Sequence, residues 1–97
     1  MRNITKQIAT AFKAGLKKSV GNTMTDGLAV YLHGNKIIER KDGKIQATMS
    51  GWNTNTTRER LNGVLSELGL NGRFSQKKFT PYFDGQEIGS HDWIVVA

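Results

Sequence analysis

The chain predicts an α+β fold, an antiparallel sheet of about five strands built from hairpins with a capped central helix packed on it and an N-terminal amphipathic helix. Three observations carry this reading. Two-residue turn signals at Gly34-Asn35, Asp42-Gly43 and Asp84-Gly85 separate short β-prone runs, as hairpins require. Across residues 50–62 the apolar period changes from that of a strand to that of a helix. Near the start of the chain, Ile4, Ile8, Phe12 and Leu16 recur every four residues.

That first repeat reads as a basic amphipathic helix of about three turns within residues 1–18, with Asn3 as N-cap and Ala11 and Ala14 adding propensity. Lys17 and Lys18 suit a helix C-terminus, and Gly15 is a place for an earlier stop. The helix is read as docked by its Ile/Phe stripe with lysines solvated, ahead of a nucleic-acid or membrane-surface helix. Residues 19–26 are polar and extended. Leu28, Val30 and Leu32 then alternate with Ala29, Tyr31 and His33, which is strand periodicity, and residues 36–41 and 44–49 return as second and third strands. With two-residue loops, Tyr31 faces Ile38, Ile38 faces Ala47 and Leu32 faces Ile37. Both sheet faces then carry apolar residues, and two helices are on hand to cover them.

The junction at residues 50–62 ties these hairpins to the rest. Thr56-Thr57-Arg58-Glu59 has the form of a capping box, and Leu61, Val64, Leu65 and Leu68 make one apolar stripe. Gly69 supplies a left-handed C-cap, with Leu70 folding back on Leu65. Asn71-Gly72 turns the chain, residues 73–79 lead into Thr80-Pro81-Tyr82-Phe83, and residues 86–88 return after Asp84-Gly85. Pro81 belongs on an edge or at a strand boundary because it lacks an amide hydrogen. Residues 92–96 are the most β-prone run and read as a well-paired strand.

Ninety-seven residues suit one domain, residues 1–97, divided as the helix of residues 1–18 and an α+β body of residues 19–97. The absence of cysteine excludes disulfides and thiolate metal sites, in keeping with a cytoplasmic setting. No apolar run of about 20 residues and no secretory leader are seen, so a soluble protein with no membrane partner is expected. The net charge is +6 and uneven: residues 1–78 hold all 14 Lys and Arg against five acids, a net +9, and residues 79–97 hold three acids alone. Such polarity favours contact with a polyanion or an acidic protein surface.

Catalysis finds little support. His33 and His91 stand outside any ligand-spaced cluster and read as a strand residue and a loop residue. Glu39, Glu59 and Glu67 are explained as hairpin, cap and helix-surface residues, and no glycine run has phosphate-cradling spacing. No enzyme, metal or cofactor is expected. Binding fares better. Trp52, Asn53 and Thr54 precede a helix start carrying Arg58 and Arg60, which gathers an aromatic, amides, hydroxyls and positive charge. Trp52 is either a contact residue or a lid over the core with its indole N–H on backbone. Arg73, Lys77 and Lys78, interleaved with Phe74 and Phe79, resemble a single-strand binder's pattern and also an ordinary strand. Lys17 and Lys18 add to the basic candidates.

Gly21-Asn22-Thr23, residues 31–37, residues 51–62, Ser75-Gln76-Lys77-Lys78-Phe79 and Tyr82-Phe83-Asp84-Gly85 together resemble a group of small bacteriophage proteins. The resemblance spans most of residues 21–96 and leaves the first helix outside. It implies a phage-encoded accessory protein in a bacterial host cytoplasm, with no shared activity attached. Two functions are weighed. The favoured one is a non-enzymatic interaction protein that binds and modulates a host protein or nucleoprotein machine, such as a defence system of the CRISPR kind. The other is direct DNA or RNA binding, which the charge favours and the lack of a nucleic-acid fold signature disfavours. The sequence sets no oligomeric state.

Overall fold

A computed structural model describes residues 1–97. In chain order the elements are α1 (Asn3–Lys13), β1 (Lys18–Val20), β2 (Thr23–Thr25), β3 (Ala29–Leu32), β4 (Asn35–Lys41), β5 (Lys44–Ala47), α2 (Asn55–Glu67), β6 (Phe74–Lys77), β7 (Thr80–Phe83), β8 (Gln86–Glu87) and β9 (Ile94–Val95). The fold is α+β. One antiparallel sheet has six strands in the order β1-β2-β3-β4-β5-β9, and β6-β7-β8 form a separate sheet of three. The main sheet is the antiparallel, hairpin-built sheet expected, with six strands, and the small second sheet arises because β6 turns back on β7 and leaves only β9 to extend the first.

The first hairpin differs from expectation in register. Its turn is His33-Gly34, both left-handed, so Leu32 pairs with Asn35 and Tyr31 with Lys36. A bulge then follows, and Val30 rather than Tyr31 pairs with Ile38. The extra residue turns both Ile37 and Ile38 into the core, where 1% and 0% of their surface remains exposed. It also leaves Lys36 and Glu39 free to meet at 3.0 Å, and Gln46 donates to Glu39 at 2.5 Å. The Ile38–Ala47 pair and the Asp42-Gly43 and Asp84-Gly85 turns stand as read. A further hairpin joins β1 to β2 through Gly21-Asn22, a turn the polar composition of residues 19–26 conceals.

Both helices lie over one face of the six-stranded sheet, not one on each. Ile8, Ala9 and Phe12 of α1 and Leu61, Val64 and Leu65 of α2 join Val30, Leu32, Ile37, Ile38, Ala47, Met49 and Phe74 in one core. Since the bulge sends the isoleucines inward, the opposite face carries half-buried Met24, Tyr31, Lys36, Glu39 and Gln46 with the small buried Ala29 beside Glu39 and exposed Val95 beside Gln46, and no large side chain there calls for a helix. Helix α1 ends at Lys13, where Gly15 goes left-handed and the Leu16 amide donates to Ala11 at 2.8 Å. Leu16 is therefore exposed, and Lys17 and Lys18 lie beyond the helix rather than in its last turn. Asn3 is its first helical residue and caps nothing; Arg2 holds the cap position without a side-chain bond.

Helix α2 is capped by Thr54. Its hydroxyl accepts from the Thr57 amide at 3.1 Å, so the cap sits two residues before Thr56. Glu59 makes no box, because its carboxylate faces α1 and accepts from the Thr5 hydroxyl and the Arg2 amide. At the other end, Gly69 and Leu70 donate to Ser66 and Leu65 at 3.0 and 2.9 Å, the expected left-handed cap.

The three-stranded sheet is tied to α2 by one side chain. The Asn62 amide accepts from the Phe74 N–H at 2.7 Å and donates to its carbonyl at 2.8 Å, completing the β6 edge as a neighbouring strand would. Phe74 and Phe83 stack with centroids 4.9 Å apart. Pro81 lies in the central strand β7 but at a boundary of pairing: its carbonyl accepts from Ile88 and it has no N–H to return, so β8 stops at Glu87. Strand β9 is only two residues long and forms an edge, less than its composition promised. No helix is long and apolar enough to cross a membrane.

Candidate functional site

The site is built at the start of α2. After β5 the chain makes a tight turn through Ser50 and Gly51, both left-handed, with the Trp52 amide donating to Met49 at 2.9 Å. The turn aims Trp52 away from the core, and 58% of its surface is exposed. It is no core lid. It walls an open groove of about 450 Å³ whose apolar lining is Leu32, Ile37, Met49 and Trp52 and whose polar lining includes His33 and Thr54.

Asn53 brings a second aromatic to this end. Its side-chain nitrogen donates to the Phe79 carbonyl at 3.1 Å, while its oxygen accepts from Arg58. Arg58 also donates to Asn55 at 2.5 Å, so its guanidinium orients the Asn53 amide. The carbonyl so held belongs to the β6–β7 turn. Lys78 and Phe79 occupy its two central positions with φ of 50° and 66°, and Phe79 is 90% exposed. A left-handed residue with a Cβ costs about 1–2 kcal/mol. An exposed phenylalanine also forgoes the roughly 1.5–3 kcal/mol that burying it would contribute. The Asn53 bond returns about 0.5–1.5 kcal/mol. Folding alone does not account for Phe79 here, since the three other hairpins whose two turn residues are both left-handed place Gly34, Gly43 and Gly85 at the same position.

The candidates named from the sequence divide. Trp52, Asn53, Thr54, Arg58, Lys77 and Lys78 converge on this end. Arg60 does not. It is 3% exposed, and its guanidinium donates to Thr23 and Thr5 at 2.9 Å, Glu59 at 2.6 Å and Asn22 at 3.3 Å. It is a strut between α2, α1 and β2. Burial pushes the Glu59 carboxyl up, but the hydrogen bonds from Thr5, Arg2 and Arg60 outweigh it and hold it below its usual range. Arg73 is exposed at the far end of β6 beside Asp84, whose carboxylate accepts from its amide at 3.0 Å. Lys18 opens the edge strand β1 in register with Thr25, and Lys17 just precedes it, so both lie at the Asp26-Gly27 end of the sheet rather than at the His33-Gly34 end.

Phe79 was hidden in the sequence. Residues 73–83 read as one continuous run because Lys78-Phe79 has none of the Gly, Asn, Asp or Pro signals that mark a turn. Its only trace is the apolar/basic interleaving of residues 73–79. Among the histidines, His33 sits in a turn rather than a strand, and His91 packs on Gly51, where an added Cβ would come within 2.5 Å of the imidazole Nε2. No group of three or more His, Asp or Glu side chains is placed to hold a metal ion.

Fold and site together define a small α+β protein that presents two exposed aromatics and a cationic turn at one end of a closed core. The chain belongs to the Kyanoviridae Gp96 protein family of bacteriophage proteins, which it matches over residues 1–96. The match takes in α1, which the resemblance read from the sequence left outside. That inclusion has a physical basis, because Ile8, Ala9 and Phe12 are fully buried and Thr5 helps to hold Arg60. No curated protein and no solved structure matches the chain.

Proposed function

We propose that this phage protein is a non-enzymatic interaction protein that docks on a host protein, free or within a nucleoprotein machine such as a defence complex, through Trp52, Phe79 and the lysines beside them. The observation that carries the reading is Phe79, held almost fully exposed in a left-handed conformation. Aromatic side chains are enriched at protein interfaces, and a few that become buried at the centre of the contact carry most of the binding energy. The grouping of the basic residues supports protein over nucleic acid. Of the basic residues named as candidates, Lys77 and Lys78 stand at the β6–β7 turn, apart from Lys17, Lys18 and Arg73, and Arg60 is buried, so these candidates do not combine into one patch for a phosphate backbone.

The test is capture from host extract with and without nuclease, using the parent and a Lys77→Glu/Lys78→Glu variant. The reading expects a partner retained after nuclease and captured more slowly by the variant, since rim charges act mainly on association. Loss of every partner on nuclease treatment, with generic DNA or RNA bound in a steeply salt-dependent manner, would establish the nucleic-acid alternative instead.

A further inference from the structure

A second surface lies on β1, away from the aromatic end. Val20 and Thr23 flank the two-residue Gly21-Asn22 turn, so Ser19, opposite Met24, directs its own N–H and C=O outward from the sheet edge. Beside this edge runs a groove of about 380 Å³ floored by Ala11, Ala14 and Leu16, with Lys17 and Lys18 on its rim. Leu16 is 61% exposed, and neither lysine makes an ion pair, whereas Lys6 across the groove is engaged with Glu67 at 2.7 Å.

We propose that β1 is a docking edge for an extended acidic segment of a partner protein, which adds as a further antiparallel strand. The backbone of Ser19 would supply the strand pairing, the alanine and leucine floor would take an alternate apolar side chain, and Lys17 and Lys18 would meet carboxylates. Charge selects this occupant. Lysines on an edge repel a second copy of a chain that itself carries +6 and so block self-pairing, but they attract an acidic strand. The groove offers no aromatic for a nucleobase to stack on, and its floor is aliphatic. With the aromatic end engaged elsewhere, the protein would join two partners.

The probe is a fluorescently labelled peptide alternating glutamate and valine, titrated with the full chain and read by anisotropy. Saturable binding is expected, weakened about tenfold by Lys17→Glu/Lys18→Glu and by Ser19→Pro, which removes an outward amide without touching the β1–β2 bonds. In the parent, hydrogen exchange of the Ser19 amide should slow on peptide saturation, a readout independent of how the variants fold. No saturation, an unchanged Ser19 exchange rate, or tighter binding of oligothymidine than of the peptide would each overturn the proposal.

Discussion

The Asp84-Gly85 turn at the end of β7 and the Lys78-Phe79 turn at its start bend the chain through similar left-handed dihedrals, with φ of 51° and 80° against 50° and 66°. Their chemistry is opposite. The first uses the pair that a hairpin of this kind prefers, aspartate and then glycine, and its aspartate braces Arg73. The second uses two bulky residues, leaves the phenylalanine in solvent and needs Asn53 and Arg58 from another loop to hold it. Where one strand carries both solutions, the difference separates what folding requires from what it does not. Glycine turns close the sheet, and the Lys78-Phe79 turn presents a side chain.

That contrast depends on a rigid body behind the turn, and the strongest polar tie in the body is Arg60. Every buried side-chain polar atom has a hydrogen-bond partner, and Arg60 donates to four side chains, the buried Thr23 and Thr5 among them. Arg60→Ala should lower stability by about 3–5 kcal/mol in urea denaturation, because it leaves Glu59 part-buried without its cation. Glu59 also gives the fold a pH dependence. Its folded-state pKa is held down, so its contribution is present above the unfolded value of 4.5 and is lost as pH falls through the lower folded value. Asp26, held down chiefly by the Leu28 and Ala29 amides, acts in the same direction. Thermal melts between pH 7 and pH 3 should show a midpoint that drops below about pH 4.5, less steeply in Glu59→Gln.

The cap of α2 positions Asn53 and comes next in size. Thr54→Ala should cost about 0.5–2 kcal/mol, and Thr56→Ala less than about 0.5 kcal/mol, since only Thr54 accepts a helix amide. Equal losses would mean that the cap alternates between the two threonines. Transplanting the strained chemistry sharpens the comparison directly. Gly85→Phe should cost about 1–2 kcal/mol in the Asp84 turn, where no second-loop amide waits to hold the carbonyl.

Much of this was legible in the sequence where the physics is local. The stripe of α2, its glycine cap and the Asp-Gly turns depend on residues a few positions apart, and they stand where the sequence put them. The cap at Thr54 rather than Thr56 was a contest between two similar threonines that Glu59 decided by turning to α1. Arg60 differs, because its burial depends on distant residues. Its partners Thr23, Asn22 and Thr5 lie 37, 38 and 55 residues away, so nothing nearby in sequence marks it as buried. The bulge that turned Ile37 inward likewise depends on cross-strand pairing. Of the site, Trp52 and the helix start were visible as composition, but their union with Lys77 and Lys78 passes through one Asn53–Phe79 bond between distant loops.

The central claim is that Phe79 is kept in its turn for contact rather than for folding, and Phe79→Gly tests it most directly. Urea denaturation and partner capture would be run side by side on parent and variant. Relief of left-handed strain, offset by glycine's greater chain entropy, should leave stability unchanged or raised by up to about 1 kcal/mol. Capture of the nuclease-resistant partner should fall at least about tenfold, a loss typical of an exposed aromatic anchor. A variant that loses stability, or one that captures its partner as well as the parent does, would contradict the account.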